Sequence, residues 1–185
     1  MQSSGWHTTP LSFATVRELA RSLDTSEIMA TVLARRGLTE PETARRFISA
    51  TGELHDPFLF PEMEKIRKRL RLAITAGELI CVHGDYDVDG ITATALLTSV
   101  LKELGARVDH HLPNRFSEGY GIATSAVEAI AARGTKLLVT VDCGITATES
   151  LGRASELGME VIGVDHHRPI EGRLPPAAII SPLLC

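Results

Sequence analysis

Several things are missing from this sequence, and each omission removes a class of protein. Of the 185 residues, no uninterrupted apolar run reaches the roughly 20 that a membrane-spanning helix needs. The opening MQSSGWHTTP lacks the basic-then-apolar layout of a secretory signal. A cytoplasmic address is the resulting expectation. Three cysteines, Cys81, Cys143 and Cys185, are too few and too scattered for a disulfide framework, and none belongs to a CxxC pair that would suggest zinc. There is no internal repeat and no low-complexity stretch. A basic excess is absent too, since the formal net charge is -4, which argues against a uniformly basic nucleic-acid binder.

What charge there is lies unevenly. Residues 1–77 carry 11 Lys and Arg against 9 Asp and Glu, whereas residues 78–185 carry 8 against 14. Five of those acids, Asp85, Asp87, Asp89, Asp142 and Asp165, fall in three tight motifs. Crowded carboxylates repel one another unless cations bind between them.

The hydrophobic pattern changes at the same place. Up to residue 77 it is helical: Thr39, Glu40, Pro41 and Glu42 read as a capping box opening a helix through Ala50. A second helix starts at Pro61 and ends at Gly77, with a basic face formed by Lys65, Arg67, Lys68, Arg69 and Arg71 that reads best as a solvated surface. Trp6 and Phe13 lie in a terminus without readable pattern. From residue 78, short apolar runs alternate with helices. Strands are expected at 79–82, 106–112, 136–141, 160–164 and 177–181, and helices at about 91–104, 124–133 and 146–157. The fold class is therefore α/β, a doubly wound parallel sheet preceded by a small helical segment.

Functional groups in such sheets gather beyond the carboxyl ends of the strands. Here three strands run directly into acidic motifs: HGDYDVDG at 83–90, DCG at 142–144 and DHH at 165–167. Hard divalent ions want oxygen ligands, and Mn²⁺ also accepts imidazole, so Asp with His is the mixture expected around Mn²⁺ or Mg²⁺. The first motif also matches the start of a calcium-binding EF-hand loop. That alternative fails because the position of its bidentate Glu is Leu96, and because a strand precedes the motif where an EF-hand needs a helix. Helix capping would explain one aspartate but not three in alternation. Asp-His-His occurs twice. At 109–111 it lies within a strand, with the histidines on opposite faces, whereas at 165–167 it follows a finished strand, so the second copy is the ligand candidate. Cys143 reads as a small buried hydrophobe rather than a nucleophile. Arg115 is either a phosphate contact or a salt-bridged loop anchor, with Glu118 and Tyr120 shaping the same loop.

HGDYDVDG, VTVDCG and GVDHH resemble motifs I to III of the DHH phosphoesterase family. PNRFSEGYG at 113–121, with RGLTEPETARRF and LHDPFLFPEM upstream, resembles the RecJ branch. The resemblance implies a two-metal phosphodiesterase, a 5′ to 3′ exonuclease specific for single-stranded DNA and used in repair and recombination, using two Mn²⁺ or Mg²⁺ ions. It implies His83, Asp87, Asp89, Asp142, Asp165 and His166 as metal-binding residues, with Asp85 as an extra ligand or an acceptor behind the ligands, His167 as a ligand or a phosphate contact, and Arg115 toward the phosphate; Asp87, Asp89, Asp142, Asp165, His166 and His167 form the implied catalytic set. Single-stranded DNA is the implied substrate, and a single-strand-binding protein and a repair helicase are the implied partners, with no membrane. The family's motif IV lies downstream of motif III, and its Asn-Pro is Ser181-Pro182 here, so an incomplete module is the expectation. Other readings are a DHH phosphodiesterase acting on short oligonucleotides or cyclic dinucleotides, and a noncatalytic replication-associated scaffold of the same family.

Overall fold

The computed structural model describes residues 10–52 and 54–184, so Trp6 and Cys185 lie outside the described residues. The chain divides into two compact units between His55 and Asp56.

The first unit is three helices, α1 (Phe13–Leu23), α2 (Glu27–Arg35) and α3 (Pro41–Ser49). Ser12 and Ser26 cap the first two by accepting from the backbone N–H groups of Thr15 and Met29, the arrangement that favours Ser before a helix. The expected capping box at Thr39 does not form. The N-cap of α3 is Glu40, its side chain makes no capping bond, and Pro41 supplies the helical start instead. Val16, Leu19, Ala30, Leu33 and Ala44 form the core of this unit.

The second unit begins with a 3₁₀ turn (Pro57–Leu59) and α4 (Met63–Thr75). The hydrophobic pattern alone puts the organisational break at residue 77. The structure instead places α4 with the sheet, because Ile66 and Ala73 pack into the same core as Ile80, Val82 and Leu137. The basic face of α4 is largely neutralised: Lys65 pairs with Glu62, Arg67 and Lys68 with Glu64, and Arg69 with both Glu78 and Glu160.

The sheet comprises β1 (Leu79–Gly84), β2 (Arg107–His111), β3 (Leu137–Val141), β4 (Glu160–Val164) and β5 (Ala178–Ile180), in spatial order β2-β1-β3-β4-β5 with every pairing parallel. Crossover helices α5 (Val88–Glu103), α6 (Thr124–Ala132) and α7 (Thr148–Glu156) join the first four strands. No helix joins β4 to β5; residues 165–177 cross without one. Strand residues alternate between two cores. Ile80, Val82, Val139 and Ile162 pack with Leu101 of α5, while Cys81, Leu138 and Val161 pack with Val127, Ile130 and Leu151 of α6 and α7. Both faces are thus covered, which explains why β3 reads as the unbroken apolar run LLVTV, buried throughout. Among the described residues, no helix is long and apolar enough to cross a membrane.

Candidate metal centre

Strand order β2-β1-β3 reverses direction at β1/β3, the position where open parallel sheets leave a crevice beyond their carboxyl ends. Register then fixes what stands there. Gly84 pairs with Val141 and Val141 with Val164, so the residues that follow, Asp85, Asp142 and Asp165, emerge side by side from β1, β3 and β4. Adjacent strands are about 4.8 Å apart, so three neighbouring strands deliver their acids to one edge of the sheet.

Each acid is held differently. Asp85 is buried; one oxygen accepts from the Tyr86 N–H (2.7 Å), and the other, Oδ2, has no partner among the described residues. Asp87 is the N-cap of α5 and accepts from the Gly90 N–H (3.0 Å), so capping does account for one of the three alternating acids. The helix begins three residues earlier than expected, at Val88, which puts Asp89 in its exposed first turn. The Gly90 hydrogen bond, above all, holds the Asp87 carboxyl below its ordinary range. Asp142 sits at φ 59, the left-handed region that Asp tolerates better than most residues. Its carboxyl is pushed upward, first by burial and then by the Asp87 carboxylate, so the two acids are near neighbours.

Asp165 has both oxygens occupied. Oδ2 accepts from the Ile145 N–H (2.9 Å), while Oδ1 accepts from the His167 N–H (3.0 Å) and from His167 Nδ1 (2.8 Å). That clamp leaves His167 Nε2 facing outward, where it shares a hydrogen bond with the Tyr120 hydroxyl (3.0 Å). The Asp165 contact raises the His167 pKa. His166 Nε2 donates to Asp142 Oδ1 (3.0 Å). Donor atoms from Asp142, His166 and His167 all lie within 4.8 Å of one another, a cation-sized cluster.

His83 lies at the foot of this arrangement, fully buried, with neither ring nitrogen meeting a hydrogen-bond partner among the described residues. Burial, reinforced by His111, pulls its pKa down to about 4. His111, opposite it on β2, stacks on its ring at 5.3 Å and bonds Glu118 Oε2 at 2.9 Å. The first Asp-His-His is therefore strand and lining, with His110 exposed. Arg115 lies outside the cluster with its guanidinium 5.0 Å above the Tyr86 ring. Cys143 is buried beside the His83 carbonyl, and burial drives its thiol pKa far up, the opposite of a nucleophile's requirement. The Tyr120–His167 bond spans 47 residues and has no local sequence signal.

Acidification tests this picture of His83. An unfolded imidazole protonates near 6.5, whereas His83 in the fold stays neutral down to about 4. Stability present above pH 6.5 is therefore lost as pH falls through that window. His83→Leu should flatten the decline in urea midpoint between pH 6.5 and about 4; an unchanged slope would show that His83 is not the buried neutral group described.

The donors fit a hard divalent cation. They are carboxylates and imidazoles only, and the buried atoms without a hydrogen-bond partner among the described residues include His83 Nδ1 and Nε2 and Asp85 Oδ2 of the first motif. Comparison with known proteins agrees with the fold. Residues 79–184 match the DHH family, N-terminal domain. The single-stranded-DNA-specific exonuclease RecJ of Bacillus subtilis is 38% identical over 168 residues, covering 90% of this chain and 21% of the relative. The crystal structure of RecJ in complex with Mn²⁺ from Thermus thermophilus superposes with a TM-score of 0.69 at 30% identity, covering 96% of this chain and 24% of that one. A second crystal structure, of exonuclease RecJ bound to manganese, gives 0.65 at 38% identity over 71% of this chain and 34% of that one. The chain spans about a fifth of the length of the curated relatives it matches. With the family match covering more than half of its residues, the chain belongs to the DHH family.

Proposed function

We propose that this chain is the metal-holding module of a RecJ-type exonuclease that hydrolyses single-stranded DNA from the 5′ end, acting in DNA repair and recombination in the cytoplasm. One observation carries the reading: the strand register that sets Asp85, Asp142 and Asp165 side by side, with the donors of Asp142, His166 and His167 within 4.8 Å. In this proposal Mn²⁺ or Mg²⁺ ions are held by Asp142 and His166 together with Asp85, Asp87 and Asp89. His83 would supply an imidazole, and Asp165 would complete the set through the lone pair left on Oδ2, which among the described residues accepts only from the Ile145 N–H. When bound, such ions neutralise phosphoryl charge and make water a better nucleophile at neutral pH.

The remaining work falls to the protein's own side chains. Asp165 fixes the His167 ring beside the cleft and raises its pKa. Arg115, exposed and carried over Tyr86, offers a guanidinium fork suited to a phosphate oxygen. Tyr120 holds His167 Nε2 from the other side. A single-strand-binding protein and a repair helicase are the partners this reading implies.

The test is Mn²⁺ titration calorimetry together with a cleavage assay on single-stranded, duplex and dinucleotide substrates, run on this chain and on a longer polypeptide that contains it. Mn²⁺ binding with preferential cleavage of single strands supports the proposal. Preference for dinucleotides would redirect it to a short-oligonucleotide phosphodiesterase. Absence of metal binding would remove the catalytic reading and leave a scaffold.

A further inference from the structure

Tyr120, which meets His167, and Arg115, which lies over the Tyr86 ring, come from one irregular segment, residues 112–121, which contains no helix or strand of its own. A loop that aims two side chains needs an internal brace, and the hydrogen bonds of this one converge on a single carboxylate. Glu118 Oε1 accepts from the Asn114 N–H (2.9 Å) at the start of the loop, and Oε2 takes His111 Nε2 (2.9 Å) from the end of β2. Asn114 in turn accepts through Oδ1 from the N–H groups of Phe116 and Ser117, and through its carbonyl from Glu118. His111 is itself stacked on the buried ring of His83.

We propose that Glu118 is a positioning residue. By mooring the loop to His111, the last member of the first Asp-His-His triplet, it sets Tyr120 against His167 of the metal centre and holds Arg115 beside that centre, over the Tyr86 ring. The inference rests on the nuclease reading above for what those two groups act upon. Its chemistry is a charge-assisted bond at each oxygen, stronger than neutral pairs. The Asn114 N–H and then His111 keep the Glu118 carboxyl below its ordinary range, so it stays ionised at neutral pH. The arrangement also gives the first triplet a function that does not require it to bind metal.

The experiment measures binding of a fluorescent single-stranded oligonucleotide in Ca²⁺, alongside Mn²⁺ calorimetry and thermal melting. Glu118→Ala should weaken oligonucleotide binding about tenfold, the equivalent of one hydrogen bond to a charged group. Mn²⁺ affinity should stay as in the wild type, while melting falls by only a few degrees, on the order of the lost hydrogen bonds. Glu118→Gln, which can still accept from Asn114 and donate to His111, should restore most of the loss. Arg115→Ala should weaken binding in the wild-type background and have little effect in Glu118→Ala, because the brace and the arm it aims act as one unit. Full additivity of the two substitutions would overturn the proposal, as would a parallel fall in metal affinity and melting that Gln fails to rescue. If the wild-type chain binds Mn²⁺ but no oligonucleotide, the nuclease reading fails first and takes this inference with it. If it binds oligonucleotide and Glu118→Ala binds it equally well, only the inference fails.

Discussion

Asp142→Asn is expected to cost more than about 100-fold in Mn²⁺ affinity while leaving the metal-free protein at least as stable as the wild type, a combination that marks a ligand held in place against its own electrostatics. The side chain is only 8% exposed and faces the Asp87 carboxylate, and both effects raise its pKa from the ordinary 3.8 even though His166 pulls the other way. A carboxyl whose pKa is raised on folding contributes stability at low pH, and that stability is lost as pH rises through the shifted value. Asparagine copies the neutral form, keeps an oxygen for the His166 N–H, and accepts the left-handed backbone at φ 59. The urea midpoint at neutral pH should therefore hold or rise, and its dependence on pH in the acid range should shrink. An Asn variant that binds Mn²⁺ like the wild type would show that Asp142 is not a ligand. One that unfolds readily would show that the carboxylate is a structural support.

The architecture was largely legible because two periods, helical and then alternating short runs, are written into the residues themselves. LICV, LLVTV and VIGV are apolar on both faces because helices cover both faces, and the acids follow them because the strand ends there. Boundaries were less legible. Val88 and Asp89 already belong to α5 because Asp87 caps it, and a sequence rich in Asp does not announce which Asp is the cap. The assignment of α4 to the sheet depends on Ile66 and Ala73 meeting strands that pair only in three dimensions. At the site, the three motifs were readable, but their division of labour was not. Nothing local to Asp165 says that both its oxygens will be taken by Ile145 and His167, or that Tyr120 will close the far side of that ring. The φ of Asp142 and the depth of His83 likewise follow from register and packing, not from residue type.

The close fit of α5 on the end of β1 leads to the second large effect. An added Cβ at Gly90 would run into the backbone N and O of Asp85, and one at Gly84 would strike Thr94 Oγ1 and the Gly90 carbonyl. Backbone cannot swing aside as a side-chain tip can, so Gly90→Ala must push the first turn of α5 off the strand. Overpacking of this kind costs about 1–3 kcal/mol, and because the clash is with backbone the upper end is expected, a melting drop on the order of 10 °C for a chain of this size. The displaced turn carries Asp87 and Asp89, and the strand end carries Asp85, so Mn²⁺ affinity should fall together with stability. Gly152 provides the control. It lies inside α7 with no positive φ and nothing within 4 Å of an added methyl, so Gly152→Ala should leave metal binding alone. Helix propensity should raise the stability of that variant by about 0.5–1 kcal/mol. If Gly90→Ala melts with the wild type and binds Mn²⁺ equally well, the close approach that presses the acidic loop between strand and helix is not what shapes the centre.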